Sequence, residues 1–157
     1  MASQEEDCKN QMPTAGELCW LEIPCTDVAR VVAFYRIVLG WESADPASTP
    51  LMPTAIEGAD GVHIFRSGKM HQGCFVKMSK PEGVAAVADS DNLAKSAVLA
   101  SYYVVSIEET LKKVEEAGGR VHVPKTPIAG GSMGYLARFI DSEGNLQGLW
   151  SAPKKPE

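Results

Sequence analysis

The residues that could do chemistry in this chain are few and scattered. Three histidines stand at His63, His71 and His122, with no H-x-H or H-E-x-x-H spacing among them. Such spacings aim two imidazoles at one ion, so only ligands brought together from distant segments remain. Glu22 stands two residues from Trp20 in an alternating stretch, and alternation puts both side chains on one face of a strand. A carboxylate beside an indole suits a lined cleft, and it equally suits a glutamate standing in water at a sheet edge. A Glu22–His63 pair with one further ligand would bind Zn2+ or Mn2+. The four cysteines, Cys8, Cys19, Cys25 and Cys74, match no C-x-x-C metal spacing and are expected to be reduced thiols. Cys19 and Cys74 fall inside strand patterns and read as small core residues.

Binding needs less than catalysis does. Trp20, Tyr103 and Trp150 are flat aromatic surfaces on predicted strands, and Glu22 and Arg138 are polar groups on the same class of element. Apolar walls with a few polar anchors are the usual make-up of a small-molecule pocket. The plain alternative for the aromatics is core packing, and Arg138 can equally lie on an outer face. No general base is assigned.

Two similar segments position these residues. Leu18 to Ile23 alternates as a strand with Cys19, Leu21 and Ile23 on its apolar face, and Pro24 is expected to end it. Asp27 is a helix N-cap, Val31, Phe34, Tyr35 and Val38 form one helical stripe, and Gly40 closes the helix. Strands are predicted at Trp41–Ser43, Val62–Arg66 and Gly73–Met78, with a proline- and glycine-bearing loop over 44–60. After a connector the plan recurs. Ala100–Val105 is a strand, Ser106 with Glu109 forms a capping box, and Ile107, Leu111 and Val114 supply the stripe of a second helix ending at Gly118-Gly119. Arg120–Pro124, Tyr135–Ile140 and Leu146–Trp150 follow as strands. The loop PIAGGSMG has no phosphate-cradling G-x-x-x-x-G-K pattern and reads as a flap over a cleft.

Composition sets outer bounds. At 157 residues with 45% apolar content, the chain can bury one real core. A net charge of −5 with scattered basic residues argues against a nucleic-acid partner, and no apolar run approaches the roughly 20 residues of a membrane span. Residues 1–16 are polar and acidic, lack the basic-then-apolar order of a signal peptide, and are expected to form a loose arm of a cytoplasmic protein.

Three stretches, taken in order, resemble the vicinal oxygen chelate superfamily: glyoxalase I, bleomycin-resistance proteins and extradiol dioxygenases. They are DVARVVAFYRIVLG from Asp27, SIEETLKKVEEAGG from Ser106 and GYLARFIDSEGNLQGLW from Gly134. The resemblance spans about 17–151. It implies an α+β fold in which two β-α-β-β-β modules form a curved mixed sheet around a cleft. Module one covers about 17–80, a connector 81–98, module two about 99–151, and a tail 152–157. It also implies a divalent metal held by inward-facing strand residues. In the family a histidine usually stands seven residues before the helix-capping Asp, and a glutamate four residues after the glycine of the closing turn. Here those positions are Trp20 and Gly148, and the strand GCFVKM offers no carboxylate. The expectation is therefore a glyoxalase/bleomycin-resistance-like domain that binds a small organic molecule without the usual metal and without another cofactor. Two alternatives stand beside it. One is a metal-dependent lyase, isomerase or dioxygenase with relocated ligands, and the other is a non-catalytic interaction module. Open sheet edges leave room for a homodimer.

Overall fold

Asp27 and Ser106 each open a helix through their own side chains. The computed structural model describes residues 13–68, 71–85 and 98–154, and of residues 71 and 72 the backbone alone. The arm over 1–12, Cys8, most of the connector (86–97) and the last three residues lie outside the described residues. Asp27 accepts from the Arg30 amide at 2.9 Å, helix α1 runs Val28–Leu39, and Gly40 ends it in the left-handed region at φ 68°. Ser106 accepts from the Glu109 amide at 3.2 Å, and α2 runs Ile107–Glu116.

The strands are β1 (Trp20–Cys25), β2 (Glu42–Ser43), β3 (Ala59–Ser67), β4 (His71–Met78), β5 (Ser101–Tyr103), β6 (Arg120–Pro127), β7 (Tyr135–Ile140) and β8 (Leu146–Ser151). They form two four-stranded sheets, ordered β1-β4-β3-β2 and β5-β8-β7-β6. In each, the strand before the helix pairs parallel with the last strand of its module, and the other pairings are antiparallel. The β-α-β-β-β plan therefore occurs twice in an α+β fold, and the two sheets are not closed into one.

The first strand departs from its sequence reading. It starts at Trp20 rather than Leu18 and continues through Pro24 to Cys25. Proline is tolerated because β1 is an edge strand, laddered to β4 on one side alone. Cys19 consequently lies before the strand and is exposed, against the expectation of a core residue, whereas Cys74 is buried as expected.

One core serves both modules. Tyr35 of α1 packs against Phe75 of the first sheet (centroids 5.6 Å apart), and its neighbour Phe34 against Phe139 of the second (6.1 Å). Trp41 stacks between Tyr35 and Phe65 and meets Tyr102 edge-on at 5.3 Å. Helix α1 thus rests on both sheets, and each fully buried ring contributes roughly 1.5–3 kcal/mol. Polar contacts reinforce the joint at the β7–β8 turn. The Tyr35 hydroxyl donates to Asp141 at 2.7 Å, and the Asp141 carboxylate also accepts from the amides of Glu143 and Asn145. Asn145 Nδ2 donates to the Pro24 carbonyl. Glu143 accepts from the amides of Thr26 (2.8 Å) and Asp27 (3.0 Å) and from Arg30 Nε (2.6 Å). Burial raises the Asp141 carboxyl above its ordinary value. Burial would raise Glu143 too, but Arg30 and the two amides outweigh it and hold that carboxyl low.

Candidate functional site

Register decides which side chains share a surface. In β1, Ile23 and Cys25 face the core, so Trp20 and Glu22 point the other way, and both are exposed. Glu22 pairs with Cys74 and Cys74 with Ile64, which puts these three on one face. The Cys74 thiol is raised by burial and by the charge of Glu22, while a hydrogen bond with Trp20 acts in the opposite direction. Cys25, on the core face, is pushed up to about 12 by burial and then by Glu143. Neither thiol has the low value that a nucleophile needs.

His63 pairs with Phe75 and Ile23 with Phe75, so His63 is on the core face, opposite to Glu22. It is 2% exposed, with Nε2 3.0 Å from the Ala44 carbonyl oxygen and 3.3 Å from Ser43 Oγ. The fold does not bring Glu22 and His63 to one ion. His122 is half-buried on β6, and His71 is on β4. Among the described residues, no group of three His, Cys, Asp or Glu side chains is placed to hold a metal ion.

The second sheet gathers the other three candidates. Arg138, Gly148 and Ser101 lie side by side across β7, β8 and β5, and Leu136, Trp150 and Tyr103 form the next row on the same face. Trp150 and Tyr103 are 37% and 65% exposed and touch at 5.9 Å between ring centroids. The indole N–H of Trp150 donates to the Met133 carbonyl at 3.1 Å, so the glycine-rich loop sets the angle of the ring. Gly134 is required there. Its φ is +84°, and a Cβ would collide with the Ser151 carbonyl and come within 3.0 Å of Trp150 Nε1. Two hollows lie near these faces. One of about 480 Å3 is bordered by Arg36, Ile37, Tyr103, Val105 and Glu109, and one of about 410 Å3 by Glu42, Ser43, Ile64 and Arg66. Neither is bordered by Trp20, Glu22, Arg138 or Trp150.

The sequence matches the Glyoxalase/Bleomycin resistance protein/Dioxygenase superfamily over residues 18–147. The chain belongs to that superfamily. No curated protein matches it. Solved structures resemble it in fold. A glyoxalase-related enzyme from Fulvimarina pelagi is 13% identical with a TM-score of 0.57, over 90% of this chain and 91% of that one. A glyoxalase/bleomycin resistance protein/dioxygenase family enzyme from Burkholderia phytofirmans is 16% identical with a TM-score of 0.58, over 87% and 98%. A mutant of the fosfomycin resistance protein FosX from Listeria monocytogenes, complexed with Mn(II) and 1S,2S-dihydroxypropylphosphonic acid, is 13% identical with a TM-score of 0.60, over 88% and 92%. Identities this low establish the shared fold and no more.

The metal that superfamily membership implies does not fit the residues at its usual positions. Trp20 stands seven residues before its helix cap, and the internal repeat places Leu99 seven residues before Ser106. Neither side chain is a ligand. A Cβ built on Gly148 would collide with the Ser101 hydroxyl and lie 3.2 Å from Leu99 Cδ2. The place of a carboxylate stem is thus taken by neighbours. Counting back from Ser106 would have found Leu99 in the sequence. No local signal marks Ser101, whose closeness to Gly148 depends on the parallel β5–β8 pairing.

Proposed function

We propose that this superfamily member binds a small organic molecule on its exposed sheet faces and does so without a metal at the usual ligand positions. The observation carrying this reading is the Tyr103–Trp150 pair, two neighbouring rings left 65% and 37% exposed beside Arg138 on one sheet face. Exposed aromatic clusters of this kind mark interaction sites. Trp20 and Glu22 supply a third aromatic and a carboxylate, on the first sheet. The residues at the family's usual metal positions, Trp20, Leu99 and Gly148, support the metal-free part.

A second copy of the chain is the proposed macromolecular partner. Strands β1 and β5 are edges of their sheets, and each carries an exposed aromatic, Trp20 or Tyr103. Light scattering tests this directly, and a monomer at working concentration counts against it. Metal analysis of protein purified without a metal-affinity step tests the metal-free reading. The expected content is well below one Mn, Fe, Ni or Zn per chain, with ligand-induced thermal shifts unaffected by chelator. Near-stoichiometric metal on which ligand binding depends would overturn it.

A further inference from the structure

Arg138 is half-buried, yet its side chain makes no hydrogen bond or ion pair among the described residues. Across β8 and β5 its neighbours on that face are Gly148, Ser101, Leu136, Trp150 and Tyr103, and across β6 it pairs with Val123; none of these carries a charge. Gly148 has no side chain, so nothing on β8 stands beside the guanidinium in its row. A guanidinium is planar, always charged and shaped to take a carboxylate through two parallel hydrogen bonds. Arg138 and Trp150 stand diagonally on neighbouring strands, and such positions are generally about 7–8 Å apart, on the order of the length of one small aromatic acid.

Resting on the reading of this face as a ligand site, we infer that its ligand class is a flat aromatic or heteroaromatic acid. The carboxylate is held by Arg138, and the ring lies against Trp150 and Tyr103. The absent carboxylate at position 148 has two consequences in this arrangement. Position 148 supplies no metal ligand, and among the described residues no carboxylate pairs with Arg138.

Calorimetric titration with indole-3-acetate, its neutral amide indole-3-acetamide, and acetate tests the inference. Wild-type chain is expected to bind the acid at least tenfold more tightly than the amide, and acetate least well. Arg138→Gln should bring acid and amide to within about twofold of each other, and Arg138→Lys should keep part of the preference. Trp150→Leu should weaken acid and amide alike, by about tenfold. Equal binding of acid and amide by wild type, a preference surviving in Arg138→Gln, or no binding of any probe at millimolar concentration overturns the inference. The outcomes separate the two proposals. If acid and amide bind equally and both are lost in Trp150→Leu, the ligand site stands and the anion assignment falls. If Trp150→Leu changes nothing, the face itself is not the site. Circular dichroism of each variant establishes that it is folded.

Discussion

Replacing Glu143 by alanine is expected to lower the melting temperature by about 6–12 °C at neutral pH. Glu143 joins the β7–β8 turn to the start of α1, across 117 residues of sequence. Its side chain is fully covered, while Arg30, its ion-pair partner, is half exposed. Removing the carboxylate leaves the amides of Thr26 and Asp27 without their acceptor. Hydrogen bonds to a charged group contribute about 1.5–3 kcal/mol each, and the low end applies because water can reach Asp27. The exposed Arg30 pair adds no more than about 1 kcal/mol. The total is about 3 kcal/mol, and a chain of this size loses about 2–4 °C per kcal/mol. The pH dependence has a definite sign. The folded carboxyl lies below its ordinary value of 4.5, so its stabilisation is fully present above that value and is lost as pH falls through the folded value. The gap between wild type and Glu143→Ala should therefore narrow from pH 7 to pH 3. Thermal unfolding followed by circular dichroism at both values is the assay. A drop under about 2 °C at pH 7, or an equal gap at both, would refute the clamp.

Two further outcomes follow from burial and close approach. In a Cys8→Ser background, Ellman's reagent should modify one thiol per native chain, that of exposed Cys19, and reach Cys25 and Cys74 only on unfolding. Two or three fast thiols would contradict the packing. Gly73→Ala should cost about 1–3 kcal/mol in a urea unfolding midpoint, because the added Cβ would meet the Leu21 carbonyl and the Phe65 ring, and an unchanged midpoint would contradict the β1–β4 register.

The candidate site was legible in pieces. Trp20 and Gly148 could be located by counting from a helix cap and from a turn, because both reference points are marked by local residues. The same count applied to the second module reaches Leu99. The failure of Glu22 and His63 to meet could not be counted, since strand alternation is visible within each segment but the parity between β1 and β3 passes through β4. That the Arg138 side chain has no partner among the described residues was equally hidden, since it depends on what β8, β5 and β6 place beside it.

The order of elements, the two helix caps, the glycine stops and the doubled β-α-β-β-β plan were determined by sequence alone. Each of these rests on a residue acting within a few positions of itself, through a capping side chain, a permitted φ or a period of two or 3.6. The tertiary structure alone decided that Pro24 stays in an edge strand, that Cys19 is outside the core, that Glu143 reaches Thr26, and that Tyr103, Trp150 and Arg138 share one face. These depend on register between strands far apart in the chain. A shift of one residue there turns every side chain to the other face, and no local pattern sets the choice.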